Sequence, residues 1–253
     1  MAQDGEREKK EQIMPYAKHD TFQFPADPNA KIWRYMDFTK VVSILENNAL
    51  YFPRFDHLED PFECSIPVAT WNRFANTNLP FFSFMKNHSQ LLYANCWHCN
   101  EYESAAMWRL YLKSDEGIAI QSTAIRFAES FRKYPDDIFI GTVSYIDYDT
   151  QEIDSNNTFA YAMHKRMSFQ HENEIRAVTV CWEEGSAPGK RAMSFTPGPI
   201  GLSIPVILDQ LVEAVYVAPT AQTWLVELVQ AIMNRYGQKA PVIHSSLADK
   251  PPQ

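Results

Sequence analysis

Residues 172–181 read ENEIRAVTVC, and this stretch is the clearest strand signal in the sequence. Its β-branched residues and its alternation of polar and apolar residues indicate a strand. In this strand Ile175 faces the core. Glu172, Glu174 and Arg176 fall on the opposite face at a repeat of about 7 Å, so two carboxylates and one guanidinium project together. One interpretation is a salt-bridged outer face of a sheet. The other is a cleft, where each carboxylate raises the pKa of its neighbour once water is excluded.

The opening of the chain predicts a strand, a helix and a second strand in close succession. Residues 31–36 (KIWRYM) form a short apolar run, and residues 50–52 (LYF) form another. Between them, apolar residues recur at i, i+3, i+4 and i+7 from Phe38, which is the spacing of one helix face. Asp37 stands where a helix N-cap is expected, and Asn48 is of the residue type that tolerates a left-handed position after a helix.

Further strands and helices alternate along the rest of the chain without a strict β-α repeat. Alternation or β-branched content predicts strands over residues 117–123, 138–145, 214–218 and 242–243. Helical spacing predicts helices over residues 104–111, 124–131, 159–166 and 225–236. Together these elements predict an α+β fold, a mixed and mostly antiparallel sheet flanked by helices, in a single domain over residues 21–253.

Two segments differ in composition from the rest of the chain. Residues 1–20 are polar and carry charges of both signs, which predicts a flexible leader. Half of the eight glycines lie between positions 185 and 201. A Gly/Pro-rich loop is therefore predicted over residues 183–200, either functional or a tolerated insertion.

Composition argues against several classes of protein. The chain has 253 residues, of which 45% are hydrophobic, and its net charge of −8 argues against a generic binder of nucleic-acid backbones. It shows neither an apolar run of about 18 residues nor a signal peptide, which predicts a cytoplasmic protein without a membrane partner. The four cysteines are expected to be thiols, and Cys96 and Cys99 are interpreted as packing residues rather than metal ligands.

Several short motifs resemble an uncharacterised prokaryotic group, domain of unknown function family 2971. They cover most of residues 31–247 in order and spacing. The matching pieces are Trp33-Arg34-Tyr35-Met36, Leu50-Tyr51-Phe52, Asp60-Pro61-Phe62-Glu63, Cys96-Trp97, Glu103-Ser104, Met107-Trp108 with Tyr111, Gly117-Ile118-Ala119-Ile120, Lys165-Arg166 with Phe169, His171-Glu172, Glu174, Arg176 and Ala218-Pro219. This resemblance implies membership of a family but no established reaction.

A second resemblance implies a reaction. The strand, helix and strand over residues 31–52, the helix led by Ser104 and the late strand with its glutamate are similar to ADP-ribosyltransferase domains. In such domains a first-strand His or Arg holds the dinucleotide and the late glutamate is catalytic. The resemblance therefore implies NAD as the substrate and no metal. Arg34-Tyr35 stand here where many of these enzymes have His-Gly.

The same resemblance gives roles to individual residues. Glu174 is the implied catalytic carboxylate, with Glu172 as the alternative, because positive charge develops on the ribose as nicotinamide leaves. Arg34 suits a pyrophosphate because its planar fork donates two hydrogen bonds at once. Tyr51 is the ring expected to stack on nicotinamide. The other implied dinucleotide-binding residues are Tyr35, Ser122, His171 and Arg176.

The function that follows is an NAD-using, ADP-ribosyltransferase-like enzyme of a prokaryotic defence or stress system, with a protein or nucleic acid as acceptor. Two alternatives stay open. One is a metal-dependent phosphodiesterase or nuclease, in which the oxygens of Asp60, Glu63, Glu172 and Glu174 surround a divalent cation. The other is a non-catalytic domain that senses a nucleotide or docks a protein.

Overall fold

The computed structural model describes residues 16–74, 79–85, 87–112, 115–153, 157–184, 191–194, 196–249 and 251. The strands are β1 (Lys31–Asp37), β2 (Ala49–Pro53), β3 (Leu92–Cys99), β4 (Gly117–Thr123), β5 (Phe139–Thr142), β6 (Ser144–Ile146), β7 (His164–Arg166), β8 (Glu174–Val180), β9 (Trp182–Glu184), β10 (Arg191–Met193), β11 (Gly201–Pro205), β12 (Ala214–Val217) and β13 (Val242–His244).

The helices of the same ranges are α1 (Phe38–Asn47), α2 (Val68–Phe74), α3 (Leu79–Met85), α4 (Ala105–Tyr111), α5 (Ala124–Ser130), α6 (Leu208–Leu211) and α7 (Thr223–Arg235). Short 3-10 turns cover Phe55–His57, His88–Gln90, Thr158–Met163, Met167–Glu172 and Ser246–Ala248. None of the helices in the described ranges has the length and apolar character needed to cross a membrane.

A seven-stranded sheet forms the centre of the fold, with the strand order β13-β12-β4-β1-β3-β8-β5. Every neighbouring pair is antiparallel except β12 and β13, which run parallel because α7 carries the chain back between them. Smaller two-stranded pairs join β2 to β11, β6 to β7 and β9 to β10. This is the predicted α+β architecture with a mixed, mostly antiparallel sheet.

The opening strand, helix and strand fold as predicted. β1 ends at Asp37, α1 follows at once, and Asn48 adopts a left-handed conformation (φ 48°) that turns the chain into β2. Asp37 occupies the predicted N-cap position, although its side chain makes no capping hydrogen bond. Ser104, by contrast, accepts a hydrogen bond from the Met107 N–H and caps α4.

Every residue of β8 is buried, so the sheet is covered on both faces at this strand. Ile175 and Ala177 belong to the larger apolar core, together with residues of α1, α5 and α7. Val178 belongs to a second apolar core on the other side. Glu174 and Arg176 point to this second side and are buried there. The interpretation of these charges as an outer sheet face is therefore wrong.

Three predicted elements differ from the observed ones. Residues 138–145 divide at Val143 into β5 and β6, which belong to different sheets. Residues 159–166 form a 3-10 turn followed by β7 rather than a helix. Glu172 ends a 3-10 turn, and Asn173, with a left-handed φ of 39°, separates it from β8, so Glu172 is not a strand residue.

The leader and the Gly/Pro-rich loop are described in part. Residues 1–15 of the predicted leader lie outside the described residues, as do positions 185–190 and 195 of the predicted loop. Residues 16–20 pack on the domain, because the Ala17 N–H donates to the Ile138 carbonyl at 2.9 Å. Within the loop, β9 and β10 form a two-stranded pair.

Candidate active site

A cleft of about 610 Å³ lies alongside β1, β3 and β8, a volume within the range of small-molecule sites. β2, the chain that follows it, the end of α4 and the 3-10 turn Met167–Glu172 supply the other walls. Six of the eight residues that the ADP-ribosyltransferase resemblance implies as catalytic or dinucleotide-binding line this cleft. They are Arg34, Tyr35, Tyr51, Glu172, Glu174 and Arg176.

The other two predicted ligand residues lie outside the cleft. Ser122 is fully buried in β4, and its hydroxyl donates to the Leu211 carbonyl, so it is a packing residue. His171 is exposed on the 3-10 turn before β8 and does not line the cleft. The structure therefore does not bring these two residues together with the other six.

Arg176 is fully buried below the cleft and binds two carboxylates at once. Its Nη1 and Nη2 donate to Glu63 at 2.9 and 2.7 Å, and its Nε donates to Glu174 at 2.9 Å. A further hydrogen bond reaches the Ala162 carbonyl at 2.9 Å, and the ring of Phe55 lies 5.6 Å from the guanidinium carbon. This side chain therefore ties the chain after β2 to β8.

Lys165 joins Glu63, Glu172 and Glu174 into one network. Its Nζ lies 2.8 Å from Glu174 and 3.2 Å from Glu63, and it also forms an ion pair with Glu172. Lys165 and Arg176 supply two positive charges to three carboxylates. The network therefore carries one net negative charge when all three carboxylates are ionised.

Glu172 and Glu174 respond to this network in opposite directions. Burial, together with the hydrogen bond and charge of Glu174, raises the pKa of Glu172 to about 7. Burial alone would raise the pKa of Glu174 as well, but Arg176 and Lys165 hold that pKa well below its ordinary value. Arg176 and Lys165 therefore favour the ionised form of Glu174, whereas Glu172 has a pKa near neutral pH.

The main chain around Glu172 is fixed by the end of β3. His98 Nδ1 lies 2.6 Å from the Glu172 carbonyl oxygen, and because a carbonyl only accepts, Nδ1 carries the hydrogen. The Cys99 N–H donates to the Asn173 carbonyl at 2.8 Å, and the Asn173 side-chain amide donates back to the Cys99 carbonyl. These three hydrogen bonds place the Glu172 side chain beside Glu174.

Arg34 lines the cleft without a carboxylate partner among the described residues. Its Nη1 donates to the Cys96 carbonyl at 2.8 Å. Burial lowers the pKa of Arg34, but a guanidinium remains charged at neutral pH. A partly buried guanidinium with donors left over suits an anionic ligand group such as phosphate.

Two tyrosines present exposed rings on the cleft walls. Tyr51 is 50% exposed on β2, and its ring covers Gly201, where a Cβ would come within 2.1 Å of the Tyr51 hydroxyl oxygen. Tyr111 is the last residue of α4 and is 43% exposed. The site prediction missed Tyr111, although it stands in one of the family-like motifs, because helical spacing marks it only as the end of a helix.

The arrangement does not favour the metal-dependent alternative. Glu63, Glu172 and Glu174 already form ion pairs with Arg176 or Lys165, and Asp60 accepts from Arg166 Nη2 at 2.7 Å. A divalent cation at these oxygens would have to displace side-chain cations. Within the described ranges, no cluster of His, Cys, Asp or Glu has a geometry suited to a metal.

The cysteines offer no nucleophile to this cleft. Cys96 lines it and Cys99 follows three residues later on β3; both are free thiols. Burial raises the pKa of each of them, so neither is a thiolate at neutral pH. This agrees with their interpretation as packing residues.

Comparisons with known proteins add no assignment. The chain matches no protein-family model, no curated protein and no solved structure. The two resemblances suggested by short motifs stay predictions, and the chemistry of the cleft is what bears on function.

Proposed function

We propose that this protein is an NAD-using enzyme of the ADP-ribosyltransferase kind, which breaks the bond between nicotinamide and ribose. One observation carries the proposal: Arg34, a guanidinium without a carboxylate partner in the described part of the chain, and Glu172, a carboxylate with a pKa of about 7, line the same cleft. NAD has the matching parts, since it carries phosphates and an anomeric carbon that becomes positive as the bond breaks.

Glu172 rather than Glu174 is the reactive carboxylate in this proposal. Both oxygens of Glu174 are bound by Arg176, and one also by Lys165, so little of its charge is left for a substrate. Glu174 instead helps to raise the pKa of Glu172. The order of preference implied by the resemblance is thereby reversed.

The proposed step uses ionised Glu172 twice. Its charge attracts the positive ribose carbon more strongly in the transition state than in the bound substrate. It then accepts the proton of the water or acceptor group that attacks this carbon. The bonding electrons leave with the nicotinamide nitrogen, so that the cationic ring departs as neutral nicotinamide.

The other cleft residues bind and orient the substrate in this proposal. Arg34 holds phosphate oxygens, and the exposed ring of Tyr51 offers a stacking surface for a planar base. Because the four cysteines are free, we place the activity in a reducing compartment, the cytoplasm. The acceptor is water, a protein or a nucleic acid.

Release of nicotinamide from NAD tests the proposal. We expect the wild-type protein to release it and Glu172→Gln, which removes a charge with little change of volume, to be slower by about 10²- to 10⁴-fold. Glu227→Gln is the matched control, since this exposed carboxylate lies on α7 outside the cleft. If NAD neither raises the thermal midpoint of the wild-type protein nor loses nicotinamide, the proposal is wrong.

The same assay has a defined pH dependence. Because Glu172 acts in its ionised form, the rate rises with pH, is half-maximal near pH 7 and levels off above it. A rate that stays constant between about pH 6 and 8 would contradict the role given to Glu172.

A further inference from the structure

The end of β3 marks the position of the reactive carboxylate. His98 pairs with Glu174 on β8, and its Nδ1 lies 2.6 Å from the Glu172 carbonyl oxygen. Lys165 Nζ donates to the carboxylates of both glutamates. The two carboxylates therefore lie together beside His98.

Two other cleft residues contact β3 at earlier positions of the same strand. Arg34 Nη1 donates to the Cys96 carbonyl at 2.8 Å, two residues before His98. The Asn95 side-chain amide donates to the Tyr51 carbonyl at 2.9 Å, one residue earlier again. Because a strand rises about 3.3 Å per residue, these two contacts lie about 7 and 10 Å from His98 along the strand. The carboxylates, the guanidinium and the tyrosine therefore follow one another along β3.

The sheet divides where Arg34 meets β3. β1 pairs with the end of β3 at His98, and Arg54, which follows β2, pairs with Tyr93 earlier in β3. The Arg34 guanidinium is bound between these two points, so it lies between two branches of the sheet that share β3. Tyr51 belongs to the β2 branch, on the side of the guanidinium away from the carboxylates.

Gly201 makes room for the ring of Tyr51. β2 pairs antiparallel with β11, where Tyr51 is opposite Ser203 and Gly201 lies two residues before it. A Cβ at Gly201 would come within 2.1 Å of the Tyr51 hydroxyl oxygen and 2.2 Å of the ring carbon that bears it. Gly201 does not have a left-handed φ, so the ring rather than the backbone requires a residue without a Cβ here. The ring therefore lies against the backbone of β11, and Tyr51 stays 50% exposed.

This order of groups matches a dinucleotide. In NAD, the anomeric carbon that bears nicotinamide is joined through its ribose to the pyrophosphate, which leads on to a second ribose and base. With the anomeric carbon at Glu172 and the phosphates at Arg34, nicotinamide and the second base lie on opposite sides of the guanidinium. The base that reaches Tyr51 is then the second one.

We infer that Tyr51 stacks on the adenine of NAD, so that the cleft binds the whole dinucleotide from Glu172, past Arg34, to Tyr51. The inference rests on the proposed function and deepens it. It changes the role of Tyr51, for which the ADP-ribosyltransferase resemblance implies contact with nicotinamide. An exposed aromatic ring suits this role because every base has a flat face on which a ring can stack.

Calorimetric titration with two partial ligands tests the role of Tyr51. ADP-ribose lacks nicotinamide, and nicotinamide mononucleotide lacks the second base. We expect Tyr51→Ala to weaken ADP-ribose by about 5- to 140-fold and to leave the mononucleotide nearly unchanged. Tyr51→Phe keeps the ring and should bind both compounds as the wild-type protein does, whereas Gly201→Ala displaces the ring and should weaken ADP-ribose alone. Tyr102→Ala, at a tyrosine that is 77% exposed and outside the cleft, is the control.

The outcomes separate this inference from the function on which it rests. If NAD is cleaved in a Glu172-dependent way but Tyr51→Ala weakens the mononucleotide as much as ADP-ribose, the inference is wrong and the function stands. The inference also fails if Tyr51→Ala binds ADP-ribose as Tyr102→Ala does, or if Tyr51→Phe weakens it as strongly as Tyr51→Ala. Unchanged binding of ADP-ribose to Gly201→Ala would contradict the ring position on which the inference depends. If the wild-type protein neither cleaves NAD nor binds either compound, both are wrong.

Discussion

The two faces of β8 are equally buried, but they are filled with different chemistry. Ile175 and Ala177 belong to an apolar core on one side, whereas Glu174 and Arg176 lie among charges on the other. Apolar burial is favourable at about 25 cal/mol per Å² and needs no particular partner. Burying an ion is unfavourable by several kcal/mol unless its partners are placed accurately.

The contrast fits the proposed function, in which the charged face serves chemistry rather than stability. Well-packed apolar residues often replace a buried ion network at no loss of stability. What apolar residues do not provide is a carboxylate such as Glu172, whose pKa of about 7 depends on the burial and the charges around it. The apolar face of β8 supports the fold, and the charged face forms the floor of the cleft.

The largest expected effect comes from removing the Arg176 guanidinium, which lies at the centre of the charged face. Arg176→Met leaves Glu63 and Glu174 with fewer partners in a buried site, so we expect the free energy of unfolding to fall by roughly 3–5 kcal/mol. Ile175→Val, one residue away on the apolar face, is expected to lower it by only about 0.5–1.5 kcal/mol. Denaturant unfolding of the two variants measures both losses.

A triple variant separates the effect of charge on stability from the effect of side-chain shape. Adding Glu63→Gln and Glu174→Gln to Arg176→Met removes the unpaired charges, and most of the lost stability should return. Equal losses for Arg176→Met and Ile175→Val would mean that the two faces are energetically alike. Failure of the triple variant to recover would mean that shape rather than charge explains the loss.

A smaller effect appears in the pH dependence of stability. The pKa of Glu172 is about 7 in the folded protein against an ordinary value of 4.5, so the folded state holds a proton that the unfolded state releases between these pH values. The stability of the wild-type protein relative to Glu172→Gln should therefore fall as the pH rises from 4.5 to about 7, by on the order of 2 kcal/mol. Urea unfolding of both proteins across this range measures the difference. A constant difference would show that the pKa of Glu172 is not raised.

The sequence predicts the apolar face well because its signals are local. The strand at residues 31–36, the helix after it and the left-handed Asn48 are all specified within about twenty positions, by spacing and by residue type. The strand period also places Glu174 and Arg176 on one face, opposite Ile175.

The charged face is harder to predict because its partners are distant along the chain. Glu63 lies 113 residues before Arg176, and nothing in the strand pattern of β8 indicates that a buried carboxylate will meet the guanidinium. Lys165 is close in sequence to Glu172, but the sequence predicts a helix that ends at position 166 and a strand that begins at position 172, and not the 3-10 turn between them. The one local signal that was missed is Asn173, a residue type that often breaks a strand by turning left-handed.

The smallest expected effect is the difference between glycine substitutions at two asparagines with a left-handed backbone, Asn48 and Asn173. Asn48 (φ 48°) ends α1, and Asn173 (φ 39°) precedes β8. Glycine adopts this conformation without strain, so Asn48→Gly should change the free energy of unfolding by less than about 0.5 kcal/mol. Asn173→Gly also removes the hydrogen bond to the Cys99 carbonyl and should lower it by about 1 kcal/mol. Because that bond helps to hold Glu172, only Asn173→Gly should also shift the pH midpoint of nicotinamide release. Equal stabilities and unchanged midpoints in both variants would mean that the end of β3 does not position Glu172.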